Sequence, residues 1–291
     1  MFADACEKAA KFTRPLIIST RQIDGTVNAV CGTFIIINKE GWIITAGHMF
    51  DSYVKFQADQ KKIKEINDIN QTPSGTPRMN IKTDPTWITN HSFWWGFDGV
   101  RLVDAYVNRQ IDLCVGRLEP FNPEWIKEYP VFRDPETMHP GTSVCRMGFP
   151  FAPVESEFIE KTSNFQIKKG VLPLPLFPNE GMHTRNVLKG MSSEGNHEML
   201  YIETSTPGLR GQSGGPIYDS KGRIYAMQVQ TAHIPLGFQP VVEYEGKKVV
   251  ENQFINVGLG VHGKTIQAVL SKHGVKFHLD DSEEISKKYV V

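Results

Sequence analysis

Three side chains of this 291-residue chain stand in local settings that suit nucleophilic chemistry. Ser213 lies in Gly211-Gln212-Ser213-Gly214-Gly215-Pro216. Glycines around a serine let the backbone turn sharply, leave the hydroxyl uncovered and bring N–H groups close to a bound carbonyl. Taken alone, the hexapeptide reads equally well as a plain glycine-rich turn. A strand–turn–helix serine elbow is excluded, because Gly214-Gly215-Pro216 leads into a hairpin where the elbow needs a helix. His48 ends the apolar run Ile43-Ile44-Thr45-Ala46-Gly47-His48, and Asp112 opens Asp112-Leu113-Cys114-Val115. A lone histidine or aspartate in such a place is more often a structural hydrogen-bonding group. In the order His, Asp, Ser, each with its own signature, the three together favour nucleophilic chemistry over that structural reading.

The elements that must position them read as β-strands. Short β-branched and aromatic runs fall at 14–20, 28–38, 42–45, 53–56, 100–107, 111–118, 142–147, 199–204, 217–219, 223–231 and 253–261. The fold class expected is all-β. Two helical patterns stand out: a short charged one at 59–68, and 264–272 with Ile266, Val269 and Leu270 at helical spacing. Hairpins turning on Asn38-Lys39-Glu40-Gly41 and Asp219-Ser220-Lys221-Gly222 carry the same type I turn signature, one in each half, which hints at two similar lobes. Residues 59–98 read as a polar insertion ending in His91-Ser92-Phe93-Trp94-Trp95-Gly96-Phe97, residues 171–198 as loop, and 280–291 as a charged tail. Trp94 and Trp95 are expected to fill the first lobe or its insertion.

Composition narrows the function. Apolar residues at 40% and charged residues at 22% exclude wholesale disorder. Lys plus Arg and Asp plus Glu each number 32, so the basic excess of a dedicated nucleic-acid binder is missing. No apolar run reaches the roughly 18 residues that span a membrane. The acids in Met1-Phe2-Ala3-Asp4-Ala5-Cys6-Glu7 do not suit a secretory leader, so a cytoplasmic protein is expected. Cys6, Cys31, Cys114 and Cys145 lie far apart without a C-x-x-C pair, and reduced thiols are expected in preference to a zinc site. His233, His262, His273 and His278 lack ligand spacing, so no metal or other cofactor is expected.

With these motifs in place the chain resembles the chymotrypsin-like serine peptidases, and most closely the protease domain of their HtrA/Deg branch without its PDZ domain, over residues 14–273. Thr45-Ala46-Gly47-His48 is similar to the family's T-A-x-H, and Asp112-Leu113-Cys114-Val115 to its D-L-A-V. Residues 139–150, 203–216 and 257–261 are similar to its strand-and-turn, serine-loop and final-strand motifs. The resemblance implies one peptidase domain of two six-stranded β-barrels, 14–120 and 121–273, with a C-terminal helix and a site in the cleft between them. It makes Ser213 the nucleophile, His48 the general base and Asp112 its orienting acid, with the Gly211 and Ser213 N–H groups as oxyanion hole. A protein or peptide substrate would add as a strand near 229–231. Pro207, six residues before the nucleophile, would floor a pocket walled by Leu209, Gln228, Val229 and Thr231. Without an acid at Pro207, cleavage after small apolar or neutral polar residues is expected, not after basic ones. Departures from the pattern are Gln212 in place of an aspartate that pairs with a newly cut N-terminus, and Met49 in place of a bridging cysteine. A second class of function on the same fold is a catalytically silent peptide- or partner-binding module.

Overall fold

The computed structural model describes residues 2–71, 80–151, 153–251 and 253–280. After helix α1 (Ala3–Phe12) come strands β1 (Thr13–Gln22), β2 (Val27–Ile36) and β3 (Trp42–Ala46), then helix α2 (Asp51–Gln71) and strands β4 (Ile88–Trp94), β5 (Arg101–Asn108) and β6 (Leu113–Glu119). These six strands pair in the order β4-β1-β2-β3-β6-β5. Phe34, Ile35 and Ile36 are all fully buried, so this end of β2 is covered on both faces. Trp95 is buried edge-on against Phe34 at 5.5 Å, the core role expected of it, while Trp94 is half-buried and donates through Nε1 to Asp98.

The second half holds β7 (Val131–Phe132), β8 (Ser143–Gly148), β9 (Ser156–Ile159), β10 (Asn164–Ile167), β11 (Phe177–Met191), β12 (Glu198–Thr204), β13 (Pro216–Tyr218), β14 (Ile224–Pro235), β15 (Val241–Tyr244), β16 (Lys247–Val250) and β17 (Phe254–His262). Helix α3 (Gly263–Lys272) and strand β18 (His278–Leu279) follow. Its main sheet runs β13-β8-β11-β12-β17-β14, and β13 also pairs with β14, so the ladder of these six strands returns on itself. The N-terminal sheet does not do so: among the described residues its end strands β4 and β5 are not paired with each other. Ile266, Val269 and Leu270 of α3 are buried as their spacing predicts, and the His262 side chain caps the helix by accepting the Lys264 N–H at 3.0 Å.

Several elements differ from the sequence expectation. Residues 53–56 are not a strand but part of α2, which begins eight residues before the charged pattern at 59. Asp59, buried on that helix, accepts from Lys55 and from the Ile88 N–H, and so ties α2 to β4. The stretch 59–98 is therefore not wholly an insertion, since β4 pairs with β1 from Ile17↔Trp94 to Gln22↔Ile88. Within 171–198, where prolines and glycines read as loop, β11 is a strand of 15 residues. It is mostly exposed, and backbone pairing to β8 and β12 holds it where its side chains do not. Helix α1 carries little sequence signal because its apolar face is only Ala5, Ala9 and Phe12. The charged tail lies outside the described residues except for Asp280, which pairs with Arg223.

Candidate active site

His48 follows β3, and Asp112 sits in the tight turn before β6. Asn108 shapes that turn: fully buried, it accepts the N–H groups of Gln110 and Ile111 at 3.1 and 3.0 Å and donates to Tyr106 and the Glu194 carbonyl. Tyr201 reaches over from β12 and donates to the carbonyls of Gln110 and Ile111. Burial, with the Asp112 charge adding to it, pushes the Tyr201 hydroxyl up to about 12, so it remains a donor. The turn leaves Asp112 at φ 64°, a left-handed conformation that aspartate tolerates better than most residues. Its Oδ2 lies 2.8 Å from His48 Nδ1, while Oδ1 accepts the His48 backbone N–H at 2.7 Å. Arg109 also reaches Oδ1, at 3.2 Å, and binds Asp51 at 2.7 Å. A carboxylate facing Nδ1 assigns the ring proton to that nitrogen and leaves Nε2 as the acceptor.

Ser213 belongs to a loop built on the C-terminal sheet and fastened to the N-terminal one. Thr33 of β2 donates its N–H to the Ser213 carbonyl at 2.8 Å and its hydroxyl to the Gly211 carbonyl at 2.7 Å. Gly214 donates to the Gln228 carbonyl at 2.8 Å. Gly211 has φ 99° and a Cβ there would lie 2.5 Å from the Phe149 carbonyl oxygen, so glycine is required. Gln212 is fully buried: its Oε1 accepts the Leu209 N–H at 2.9 Å, its Nε2 donates to the Phe177 carbonyl at 3.2 Å, and its own N–H donates to Leu209. The N–H groups of Gly211 and Ser213 donate to no other group of the described protein.

His48 and Ser213 share one cleft of about 470 Å³, whose walls include Gly211, Leu209, Gln228, Val229 and Thr231. Pro207 does not border it; Gly208 takes that place, and the Pro207 carbonyl accepts from Asn179. Among the described residues Ser213 Oγ forms no hydrogen bond to His48, and such contacts commonly tighten only when substrate binds. A somewhat larger cavity, about 530 Å³, between β4 and the β9–β10 hairpin contains none of these groups. All four cysteines are free thiols, and burial pushes Cys31, at the cleft wall, up to about 12. No cluster of three His, Cys, Asp or Glu among the described residues is placed to hold a metal ion. No described helix is long and apolar enough to cross a membrane. Asn108, Arg109, Tyr201 and Thr33 were not found from the sequence, since each acts through a partner distant in the chain or through backbone groups.

A mostly-β chain with a sheet on either side of such a cleft and a C-terminal helix has a trypsin-like fold. Residues 32–227 match the family described as Trypsin-like peptidase domain, and the chain belongs to that family. Among solved structures it is similar to a variant of the HtrA-type protease AlgW with decapeptide, at 13% identity and a TM-score of 0.51 over 94% of this chain and 68% of that one. AlgW with tripeptide gives 13% identity and a TM-score of 0.48, over 94% of this chain and 65% of that one. No curated protein sequence matches the chain.

Proposed function

We propose that the protein is a serine endopeptidase that cleaves peptide bonds through an acyl-enzyme, its C-terminal sheet being one barrel of this fold and its open N-terminal sheet the counterpart of the other. The observation that carries the reading is one carboxylate holding both Nδ1 and the backbone N–H of His48, at the rim of the cleft that also contains Ser213. In the forward step Ser213 Oγ attacks the scissile carbonyl while His48 Nε2 takes its proton. Asp112 stabilises the resulting imidazolium without itself taking a proton. The carbonyl oxygen gains negative charge as the tetrahedral intermediate forms, and the free N–H groups of Gly211 and Ser213 are its donors. One donor of this kind lowers the barrier by about 2.7–4 kcal/mol in proteases where it has been removed. His48 then gives its proton to the leaving amine, and water repeats the sequence on the acyl-serine. The substrate is a protein or peptide lying along 229–231 as an added strand, a ligand class that AlgW with decapeptide shares.

A fluorophosphonate probe tests the assignment. It is expected to label Ser213 alone, and Ser213→Ala is expected to lose both the label and casein hydrolysis, by about 10⁴–10⁶ in kcat, with an unchanged circular dichroism spectrum. Casein hydrolysis that persists in purified Ser213→Ala refutes it.

A further inference from the structure

Arg146 is the one arginine of β8 and is 1% exposed. Its Nη2 donates to the Thr204 hydroxyl, but Nε and Nη1 have no partner, and it forms no ion pair among the described residues. The nearest acid in sequence to that contact, Glu203, is occupied by Thr184 and Arg185. Successive strand residues face opposite sides, so Glu203 points away from Thr204. Burial brings Arg146 down to about 10, so the guanidinium keeps its charge at neutral pH. A buried cation with two idle donor nitrogens is costly, and such a group is normally retained for a reason.

The surroundings of the guanidinium lead to the cleft. A methyl group at Gly258 would collide with Arg146 Nη1, and Gly258 pairs on one side with Thr204 and on the other with Thr231. Thr231, a cleft residue, donates to the Gly208 carbonyl at 2.6 Å. Asn179, the cross-strand partner of Arg146, donates to the Pro207 carbonyl at 3.1 Å. The charge therefore lies directly behind the wall formed by 207–208 and 231. At the front of that wall the Gln228 amide rests on Gly208, in space a side chain at Gly208 would take. Its Nε2 donates to the Gln230 carbonyl, which fixes its Oε1 as the other end, and that atom has no partner either.

We infer that this pocket selects an acidic side chain, glutamate or aspartate, on the acyl side of the scissile bond, with Arg146 as the specificity-determining cation. This rests on the peptidase reading above and departs from the small apolar or neutral polar preference expected from Pro207. To reach the guanidinium the substrate side chain displaces the Gln228 amide from Gly208. Its carboxylate then accepts from Nε and Nη1 and supplies the negative charge that the fold withholds, in surroundings where charge-assisted hydrogen bonds are strong. A neutral amide of the same shape satisfies the donors and leaves the charge unpaired.

Wild-type protein is assayed on succinyl-Ala-Ala-Pro-X-p-nitroanilides with X as Glu, Gln or Leu. The Glu substrate is expected to exceed the Gln substrate in kcat/KM by about tenfold or more. Arg146→Met should bring that ratio to about one, and Arg146→Lys should retain part of it. Equal or faster wild-type cleavage after Gln or Leu overturns the inference while leaving the peptidase reading intact. Fluorophosphonate labelling of Ser213 checks that reading separately. Should labelling fail, calorimetry with acetyl-Ala-Ala-Pro-Glu and its Gln counterpart still decides: about tenfold tighter binding of the Glu peptide supports the pocket, and equal binding overturns it.

Discussion

Gln212 is the side chain on which the geometry of the proposed oxyanion hole depends, and replacing it gives a quantitative test. It is fully buried and makes two side-chain hydrogen bonds, one to the Leu209 N–H and one to the Phe177 carbonyl. Gln212→Met keeps the volume and removes both bonds. The Leu209 N–H, partly shielded from water, then has no acceptor, which costs about 1–3 kcal/mol. The Phe177 carbonyl belongs to a residue 40% exposed, and water replaces most of that bond. The net loss of about 1–3 kcal/mol corresponds to a drop of roughly 2–5 °C in Tm for a chain of this size. The Gln212 side chain also supports the 209–212 turn across Gly211, so its loss leaves that turn to its main-chain bond and the Thr33 contacts and loosens the directions of the Gly211 and Ser213 N–H groups. A displacement of about 1 Å at such a site costs on the order of 10²-fold in rate. Differential scanning calorimetry and peptide kinetics on the same preparation read both effects, with kcat falling more than KM changes. A Gln212→Met protein that melts at the wild-type temperature and keeps kcat within twofold refutes the role given to this residue.

Asp112→Asn should preserve the turn, since Asn108 and Tyr201 hold its backbone, yet lower kcat by about 10⁴ because an amide no longer fixes the imidazole tautomer; steady-state kinetics at pH 8 check this, and a loss under tenfold contradicts it. Stability should fall on acidification. Burial lowers His91 and His262 from 6.5 to about 4 in the folded protein, so between these values the unfolded chain binds more protons and each step down in pH favours unfolding. Urea denaturation at pH 7 and pH 5 measures the difference, and His262→Asn, which retains a capping acceptor but does not titrate, should remove part of it.

The sequence was most informative where chemistry and backbone geometry are written together. Gly211 to Pro216, Thr45 to His48 and Asp112 to Val115 are short contiguous signatures, and the structure brings His48 and Ser213 into one cleft. Strands with β-branched runs, such as β2 and β14, were legible for the same reason. Helix α2 was not, because Tyr53-Val54-Lys55-Phe56 has the composition of a strand, and what holds it as a helix on β4 is tertiary: Asp59 and Gln60 bonded to β4 and Tyr53 and Phe56 packed on His91. Strand β11 was hidden for the opposite reason, as its ladder bonds lie in the backbone and its glycines and prolines signal turns. Asn108, Thr33 and Arg146 carry no local mark. What they do is decided by groups far away in the chain, as for the Thr33 hydroxyl and the Gly211 carbonyl 178 residues on.

That last contact has a consequence for how the protein acquires activity. The loop bearing Ser213 takes part of its shape from β2, through two hydrogen bonds from a single threonine in the other half of the chain. Neither half alone contains a finished site, and the bonds that finish it are among the most distant in sequence, hence among the last to repay their loop-closure entropy. The Asp112 turn likewise waits on Glu194 and Tyr201 of the second half, so under the proposed peptidase reading a nascent chain lacking that half has neither part of the site complete. In refolding from urea, hydrolysis should return with the slowest phase, after the far-ultraviolet circular dichroism signal, and simultaneous recovery of the two would contradict this order. Under the proposed peptidase reading, docking of the halves acts as a safety catch, released only by a completed fold.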